Sequence, residues 1–240
     1  MLIDSSRYSY QQKQERKKNV ITFIVSFLII LVVVNIFLTF IIKSTWINSN
    51  SMSPEFTETS AVFVVPYFHN TNLLLKQKSL TRGSIVKINN ESIGERTGFE
   101  TFIDYVCGMF TFQKFRPFEK ERWGESELFR IVGIPGDTLR IENYIAKIKP
   151  QGSEHFLTEF ELSESKYNII SDTAPQDWNK AMGTQGKTDE ITLKADEYFL
   201  LSDNRIVAID SRIFGAVQAE KITGKALLQY YPFDKIRVLD

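Results

Sequence analysis

The longest hydrophobic stretch of the chain covers residues 20–42 and contains no charged side chain. About 20 apolar residues are enough for a helix to cross the roughly 30 Å hydrocarbon core of a bilayer. A cleaved signal peptide has a shorter apolar region, of about 7 to 15 residues, and ends at a small-residue cleavage site. No site of the Ala-x-Ala type follows residue 42. The pattern therefore predicts an uncleaved transmembrane helix over residues 20–42.

Beyond residue 43 the pattern changes to short runs of β-branched and aromatic residues, separated by turn signals such as Pro66, Arg82-Gly83 and Pro135-Gly136. Runs of this kind are typical of strands, and the intervening Gly and Pro residues are typical of turns. The pattern predicts a mainly β domain over residues 43–240. The predicted strands cover residues 61–65, 84–88, 128–132, 138–141, 198–201 and 225–230.

Two segments interrupt this pattern. Residues 89–127 are unusually aromatic, and two interpretations remain open: the rings pack on the β core, or they dip into the outer leaflet of a membrane. Residues 146–190 are polar and contain three glycines, which predicts a small inserted lobe. The aromatic segment contains Phe99, Phe102, Tyr105, Phe110, Phe112, Phe115, Phe118 and Trp123.

Basic residues are concentrated before the apolar stretch. Lysine and arginine outnumber aspartate and glutamate within residues 1–19, and after Lys43 no basic residue occurs until Lys76. Positively charged flanks stay in the cytoplasm. The charges therefore predict a cytoplasmic tail over residues 1–19, a single pass through the cytoplasmic (inner) membrane, and a main domain on the outer side.

Overall charge and cysteine content exclude some functions. The chain has 29 basic and 29 acidic residues, so nothing indicates a nucleic-acid partner. Cys107 is the single cysteine and cannot form an internal disulfide; we expect it to be a small buried apolar residue.

A short serine-containing motif follows the apolar stretch. Ser51 is followed by Met52 and Pro54, and such a motif alone is too short to be specific. Further motifs come after it in order: residues 82–86 (RGSIV), 130–137 (RIVGIPGD), 202–205 (SDNR), 210–212 (DSR) and Gly215. In this order, behind a predicted membrane anchor, they resemble the type I signal peptidases. The resemblance covers nearly the whole chain except residues 89–127 and 146–190.

The resemblance implies a membrane-anchored β domain with a smaller inserted lobe. It also implies a serine endopeptidase that uses a Ser-Lys dyad, needs neither cofactor nor metal, and cuts signal peptides from exported preproteins after a small-x-small sequence. A lysine amine in apolar surroundings has a lowered pKa, so that it can accept the proton of a serine hydroxyl without a histidine.

The resemblance also implies roles for individual residues. Ser51 would be the nucleophile, and its backbone N–H and the Ser49 hydroxyl would stabilise the oxyanion. Met52 and Pro54 would shape the pocket that receives the substrate. A structural network of ion pairs and turns would hold the last motif against the active site; its members are Asp203, Asn204, Arg205, Asp210 and Arg212.

The chain departs from the family pattern at the general base. The family lysine stands four residues before the first glycine of the RIVGIPGD motif, and here that residue is Phe129. The serine that holds the lysine amine stands two residues before the aspartate of the last motif, and here it is Ala208. A hydroxyl left without a partner in an apolar pocket costs about 1 to 3 kcal/mol, so loss of the lysine explains loss of the serine. The two changes predict impaired or absent proteolysis.

Other bases remain open alternatives. Glu127 lies on the same predicted strand face as Phe129, and Lys114 and Lys120 belong to the aromatic segment. Arg130 is excluded because its guanidinium stays charged.

Three hypotheses follow. The first is a signal peptidase that works through an unrecognised base. The second is a non-catalytic relative that binds signal peptides or an active signal peptidase. The third is a membrane-anchored structural β protein without a substrate. Signal peptides are partners in the first two, and the lipid bilayer is a partner in all three.

Overall fold

The structure, a computed structural model, describes residues 5–40, 43–66, 80–88, 97–111, 117, 128–173, 177, 184–207 and 209–239. It divides into two units, residues 1–41 and 42–240.

The first unit is one helix, α1, which covers Ser5–Phe40. No glycine or proline interrupts this stretch, and the basic residues before the apolar run are themselves good helix formers. Within α1, Gln12–Val34 is long and apolar enough to cross a membrane, and its most apolar part is not buried within the protein. The helix therefore begins well before residue 20, where the sequence predicts the start of the apolar span.

The second unit contains a large antiparallel sheet. Its strand order is β1-β2-β11-β3-β4-β9-β10, and β12 pairs with the outer part of β11. The strands are β1 (Lys43–Trp46), β2 (Ala61–Pro66), β3 (Ile85–Ile88), β4 (Leu128–Gly133), β9 (Glu197–Leu201), β10 (Val217–Gln218), β11 (Ile222–Tyr231) and β12 (Arg237–Val238).

A smaller antiparallel sheet lies between β4 and β9 in the sequence. Its strand order is β7-β6-β5-β8, with β5 (Thr138–Glu142), β6 (Ile145–Lys149), β7 (Leu157–Thr158) and β8 (Ile191–Thr192). Asn143 and Tyr144 both have positive φ, 48° and 65°, as a two-residue hairpin turn requires. Residues 146–190, the predicted inserted lobe, thus contribute β6 and β7 to this sheet.

The described domain also contains three α-helices, besides 3₁₀ turns at Asn50–Met52, Ala219–Lys221 and Phe233–Lys235. They are α2 (Gly98–Phe110), α3 (Glu159–Leu162) and α4 (Ser211–Phe214). α2 lies within the aromatic segment and begins with a capping box, in which Thr97 accepts from the Glu100 N–H and Glu100 accepts from the Thr97 N–H.

Two apolar clusters occupy opposite sides of β4, because neighbouring residues of a strand point to opposite faces. Leu128 belongs to the serine-side cluster, which also contains Ile47, Met52, Phe56, Val62, Val64, Ile85, Ala226 and Leu239. Phe129 belongs to a second group, the Phe129 cluster, with Leu80, Val86, Ile131, Leu200, Val217 and Ile222. β4 therefore separates the core beneath the serine motif from the core around Phe129.

The mainly β fold predicted from the sequence is confirmed, and all six predicted strands occur with shifts of one to three residues at their ends. The pattern missed β1, β6 and the two-residue strands, and it missed α2, whose 13 residues make too short a helical stripe to stand out in an aromatic segment.

Candidate active site

A tight turn carries the serine motif. Residues Asn50–Met52 form one turn of 3₁₀ helix, and the Phe56 N–H donates to the Met52 carbonyl oxygen at 2.9 Å. The side chains of Met52 and Phe56 are fully buried in the serine-side cluster. Apolar packing of these two side chains thus holds the turn in place. Met52 was predicted to shape the substrate pocket, but its side chain contacts the core rather than solvent. Pro54, its predicted companion, is exposed.

Ser51 and Ser49 contact each other directly. Their hydroxyl oxygens lie 2.8 Å apart and share one hydrogen bond, and Ser51 is 6% exposed. A neighbouring hydroxyl can orient Ser51, but it is a poor proton acceptor at neutral pH, and general-base catalysis requires a group with a pKa near the working pH. The structure therefore shows a serine pair whose hydroxyls orient each other.

The last motif holds this turn through its backbone. The Asn204 N–H donates to the Ser51 carbonyl oxygen at 2.8 Å, and the Asn204 side-chain amide donates to the Asn50 carbonyl oxygen at 3.3 Å. Because Asn204 lies in the loop that follows β9, which ends at Leu201, these bonds connect the serine turn to the β9 side of the large sheet.

A buried ion pair fixes the residue before Asn204. Arg130 donates to both carboxylate oxygens of Asp203, at 2.8 Å and 2.6 Å, and the two side chains are 3% and 0% exposed. Arg130 also donates to the Gly83 carbonyl oxygen at 2.7 Å, and its guanidinium lies 4.0 Å from the ring centre of Tyr167. Burial alone disfavours the charge of Arg130, but Asp203 outweighs it and raises the pKa of Arg130.

A second buried pair fixes the residue after Asn204. Arg205 donates to the two carboxylate oxygens of Glu159 at 2.9 Å and 2.6 Å. Glu159 also accepts from the Ala146 N–H at 2.9 Å and from the Tyr167 hydroxyl at 2.6 Å. Burial raises the pKa of Glu159, but Arg205 and these hydrogen bonds outweigh burial and hold that pKa below its ordinary value. Burial, followed by the charge of Glu159, raises the pKa of Tyr167.

A third pair closes the loop that follows. Asp210 caps α4 and accepts from Arg212 at 2.8 Å and 2.7 Å. It also accepts from the Ser202 N–H at 3.2 Å, while Arg212 donates to the Arg205 carbonyl oxygen at 2.6 Å. Residues 202–205 are therefore held at both ends by charged side chains that point inward.

Phe129, at the position expected for the base, is part of the core. Its side chain is 2% exposed, and its ring makes an edge-to-face contact with Phe214 at a centroid distance of 5.8 Å. Val86 lies directly opposite on β3. These are the surroundings of a core aromatic residue. Ala208, the other position predicted to depart from the family pattern, lies outside the described residues, as do the alternative bases Glu127, Lys114 and Lys120.

The structure adds a basic residue that the sequence pattern did not single out. Lys225, on β11, is 8% exposed and lies opposite Val86, which itself lies opposite Phe129. Lys225 and Phe129 therefore share one sheet face, with Cα atoms about 10 Å apart across two strand spacings. In the sequence, Lys225 stands out only as a lysine within an otherwise hydrophobic predicted strand.

Glu159 and Tyr167 also escaped the sequence analysis. Glu159 follows Thr158, which begins a capping box with Glu161, and that local signal predicts a helix start rather than a buried carboxylate. Its partner Arg205 lies 46 residues later, so no spacing rule connects them.

The described residues contain no group of three or more His, Cys, Asp or Glu side chains that could hold a metal ion. Cys107 is half-buried on α2.

Comparison with known proteins identifies relatives of the same kind. The family model for "Signal peptidase, peptidase S26" matches residues 20–231. The chain is 25% identical to signal peptidase I P of Bacillus subtilis subsp. natto over 232 residues, which cover 95% of this chain and 98% of the relative. It is 30% identical to signal peptidase I of Streptococcus pneumoniae over 125 residues, 45% of this chain and 61% of the relative. It is 25% identical to signal peptidase IB of Staphylococcus aureus over 108 residues, 45% of this chain and 54% of the relative.

The family match extends from the apolar helix to the end of β11 and includes every motif on which the resemblance rests. With that coverage, the chain belongs to the type I signal peptidase family, peptidase S26.

Proposed function

We propose that this chain is a membrane-anchored signal peptidase family protein that binds signal peptides of exported preproteins at the outer face of the cytoplasmic membrane, with impaired or absent proteolysis. The family match supports the substrate class. The apolar helix and the basic residues before it support the anchor and its orientation.

One observation carries the proposal. The serine turn keeps its hydrogen-bonded Ser49–Ser51 pair, while Phe129 lies in an apolar cluster. A hydroxyl pair can orient a scissile carbonyl and donate to its oxygen. Proton removal requires a base, and a phenylalanine ring has no proton-accepting atom.

The buried network around Asn204 favours binding over a purely structural role. Burying a carboxylate or a guanidinium costs several kcal/mol per ion before pairing, and here the pairs Arg130–Asp203 and Arg205–Glu159 are both buried. They flank the residue that holds Ser51 by its backbone. We infer that their role is to keep the serine turn in a peptide-binding geometry, in which an extended signal peptide would add to a strand edge.

A second candidate function is a relative that binds an active signal peptidase. The exposed apolar side chains of Val207, Ile209 and Ile213, which are 62%, 45% and 60% exposed, favour it because such side chains suit a protein partner.

The test uses full-length protein in detergent with a preprotein and a fluorescent small-x-small signal peptide. We expect wild-type cleavage on the order of 10⁴-fold below that of a family member that has its lysine, because loss of one catalytic group in serine proteases costs about that much or more. We expect peptide binding that is unchanged in Ser51→Ala. Ser53→Ala is the matched control, since Ser53 lies in the same turn and bonds to the Phe56 carbonyl oxygen.

Rapid wild-type cleavage that disappears in Ser51→Ala but not in Ser53→Ala would contradict the proposed loss of proteolysis. Lys225→Met would then show whether the lysine on the Phe129 face is the base. Absence of peptide binding at millimolar concentration would contradict the binding function.

A further inference from the structure

A short segment that follows β11 packs against the serine turn. Residues 232–239 lie beyond the part of the chain that the family model matches, which ends at the last residue of β11, so that match assigns them no role. Within the segment, Arg237 lies opposite Gln229 of β11, and the Leu239 N–H donates to the Leu227 carbonyl oxygen at 2.7 Å. Backbone hydrogen bonds therefore fix this segment to the large sheet.

Side chains at the end of this segment alternate between solvent and core, as neighbouring residues of a strand do. Val238 is 76% exposed. Leu239 is 7% exposed and belongs to the serine-side cluster, together with Met52 and Phe56 of the serine turn and its continuation. The segment thus places an apolar side chain in the same cluster that holds the serine turn.

Arg237 binds the residues that come directly after the turn. Its guanidinium donates to the Glu55 carbonyl oxygen at 3.0 Å and forms an ion pair with the Glu55 carboxylate. The guanidinium also lies 5.9 Å from the ring centre of Phe56, within the range of a cation–π contact. The Phe56 N–H in turn donates to the Met52 carbonyl oxygen. Arg237 therefore contacts both the backbone and the side chains of the segment that closes the turn.

A second set of hydrogen bonds connects Arg237 to the far end of the same loop. The Arg237 Nε donates to Gln229 Oε1 at 3.0 Å, and Gln229 Nε2 donates to the Ser60 hydroxyl at 3.4 Å. That hydroxyl accepts from the Thr57 N–H at 3.0 Å. Gln229 and Ser60 are 1% and 0% exposed, so water does not compete for these bonds. Residues 55–60 are therefore connected to Arg237 at both ends.

Glu55 links this contact to the buried ion pairs. Its carboxylate lies 3.6 Å from Arg130, whose closest carboxylate is that of Asp203. Arg130 thus faces two carboxylates, and Arg237 supplies a second positive charge that balances them. Without Arg237, the attraction between Glu55 and Arg130 would act alone on the Glu55 side chain. We expect Glu55 to shift towards Arg130 and to take the end of the serine turn with it.

We propose that residues 232–239 form a clasp that sets the geometry of the serine turn, with Arg237 as a positioning residue for Ser51 that acts through Glu55. The side chains of this ion pair are 44% and 15% exposed, and partly exposed pairs contribute little to global stability. Loss of Arg237 should therefore open the turn locally and leave the rest of the fold closed. The consequence for signal-peptide binding rests on the proposed function.

The test compares amide hydrogen exchange in full-length wild type and Arg237→Met in detergent, without peptide. The Phe56 N–H reports on the turn, and the Ile131 N–H, which donates to the Ser84 carbonyl oxygen at 2.9 Å, reports on the sheet. We expect exchange at Phe56 to become about tenfold faster or more, the factor expected for loss of a hydrogen bond from a charged group, and exchange at Ile131 to stay the same. Arg237→Lys, which keeps the charge, should restore part of the protection.

Two control variants match the change at Arg237. Arg140→Met removes an arginine that also pairs with a glutamate, is similarly exposed at 38%, and lies 4.3 Å from the ring centre of Phe156, but belongs to the smaller sheet. Val238→Ala alters the exposed neighbour of Arg237 in the same strand. Neither variant should change exchange at Phe56.

Peptide affinity shows whether the geometry of the turn matters for binding. The dissociation constant of the fluorescent small-x-small signal peptide is measured with the same proteins. We expect Arg237→Met to weaken binding about threefold or more, because the turn would hold its binding geometry for only part of the time, and Arg140→Met to bind as the wild type does. Leu239→Ala removes the other contact of the clasp and should also speed exchange at Phe56 and weaken binding.

Three outcomes separate the clasp from the proposed function. Exchange at Phe56 that is unchanged in Arg237→Met, or that rises by the same factor as exchange at Ile131, would overturn the clasp. Faster exchange at Phe56 alone, with unchanged peptide affinity, would overturn the positioning role. If the wild type itself binds no peptide while exchange at Phe56 still responds to Arg237, the proposed function fails and the clasp is supported.

Discussion

The two faces of β4 differ sharply in chemistry. On one face, Arg130 is buried as an ion with Asp203; on the other, Phe129 is buried among aliphatic side chains. The charged face supports the loop that holds Ser51 through Asn204, whereas the apolar face contains Phe129, the position at which the sequence analysis predicts the family's proton acceptor. Neighbouring residues of one strand thus serve two environments: Arg130 a buried ion pair that supports the serine turn, and Phe129 an apolar cluster at the predicted base position.

The largest effect is expected from breaking the charged side. Glu159→Gln keeps the size of the side chain but leaves the guanidinium of Arg205, which is 0% exposed, without its counter-ion. Removing one partner of a buried pair costs about 3–5 kcal/mol. We expect a loss of that size in the free energy of unfolding, measured by urea denaturation. Glu142→Gln is the control: its pair with Arg140 is 38% and 43% exposed, and a loss of about 0–1 kcal/mol is expected. Equal losses in the two variants would contradict a structural role for the buried network.

The apolar side should respond to loss of volume. Phe129→Ala removes a core ring, and we expect a loss of about 3 kcal/mol in the free energy of unfolding. The value lies at the lower end for such changes because Phe214, which contacts the ring, is 42% exposed and can move inward. Phe99→Ala, at a side chain that is 70% exposed, should change stability by less than about 0.5 kcal/mol. A tolerated Phe129→Ala would mean that the base position is not part of the core.

Low pH should weaken the buried charged network around Glu159 and should leave the Phe129 cluster unaffected. A carboxylate with a lowered pKa in the folded state, such as Glu159, contributes stability above its ordinary pKa of about 4.3, and that contribution is lost as the pH falls through the folded-state pKa. The free energy of unfolding of the wild type should therefore fall more steeply below about pH 4.3 than that of Glu159→Gln. The free energy of unfolding of both proteins is measured by urea denaturation from neutral pH downward. If it depends on pH in the same way in the two proteins, the pKa of Glu159 does not change on folding.

The smallest effect is expected from the edge of the network. Tyr167→Phe removes a 2.6 Å hydrogen bond to Glu159 but leaves Arg205 and the Ala146 N–H as donors. We expect a loss of about 1 kcal/mol. Tyr230→Phe is the control, since its hydroxyl bonds to Ser44 at the half-buried edge of the sheet. A loss as large as that of Glu159→Gln would mean that Tyr167, rather than Arg205, dominates the stabilisation of Glu159.

The fold was more predictable than the site. Strands such as residues 138–142 alternate buried and half-buried positions, and this periodicity can be recognised in the sequence. The two-residue strands have too few residues for any periodicity, and β1 directly follows the apolar span. α2 was missed because its apolar stripe faces outward in a segment already rich in aromatic residues.

Within the site, local motifs singled out Ser49, Ser51, Asp203, Arg205, Asp210 and Arg212, because each belongs to a short contiguous segment. The partners of these residues could not be predicted in the same way. Glu159 meets Arg205 only after the smaller sheet has folded, and Lys225 meets the Phe129 face only through the register of β11 on β3. Long-range pairing of this kind leaves no spacing signal in one sequence.

The most direct test of the proposed function introduces a lysine at the predicted base position. Full-length protein carrying Phe129→Lys with Ala208→Ser is assayed for preprotein cleavage beside the wild type and beside the same double variant with Ser51→Ala added. If the positioning parts are intact and only the base is missing, cleavage should rise by roughly 10³- to 10⁴-fold over the wild type and should vanish when Ser51→Ala is added. A double variant that folds like the wild type, as judged by its thermal unfolding, yet cleaves no faster would contradict the account.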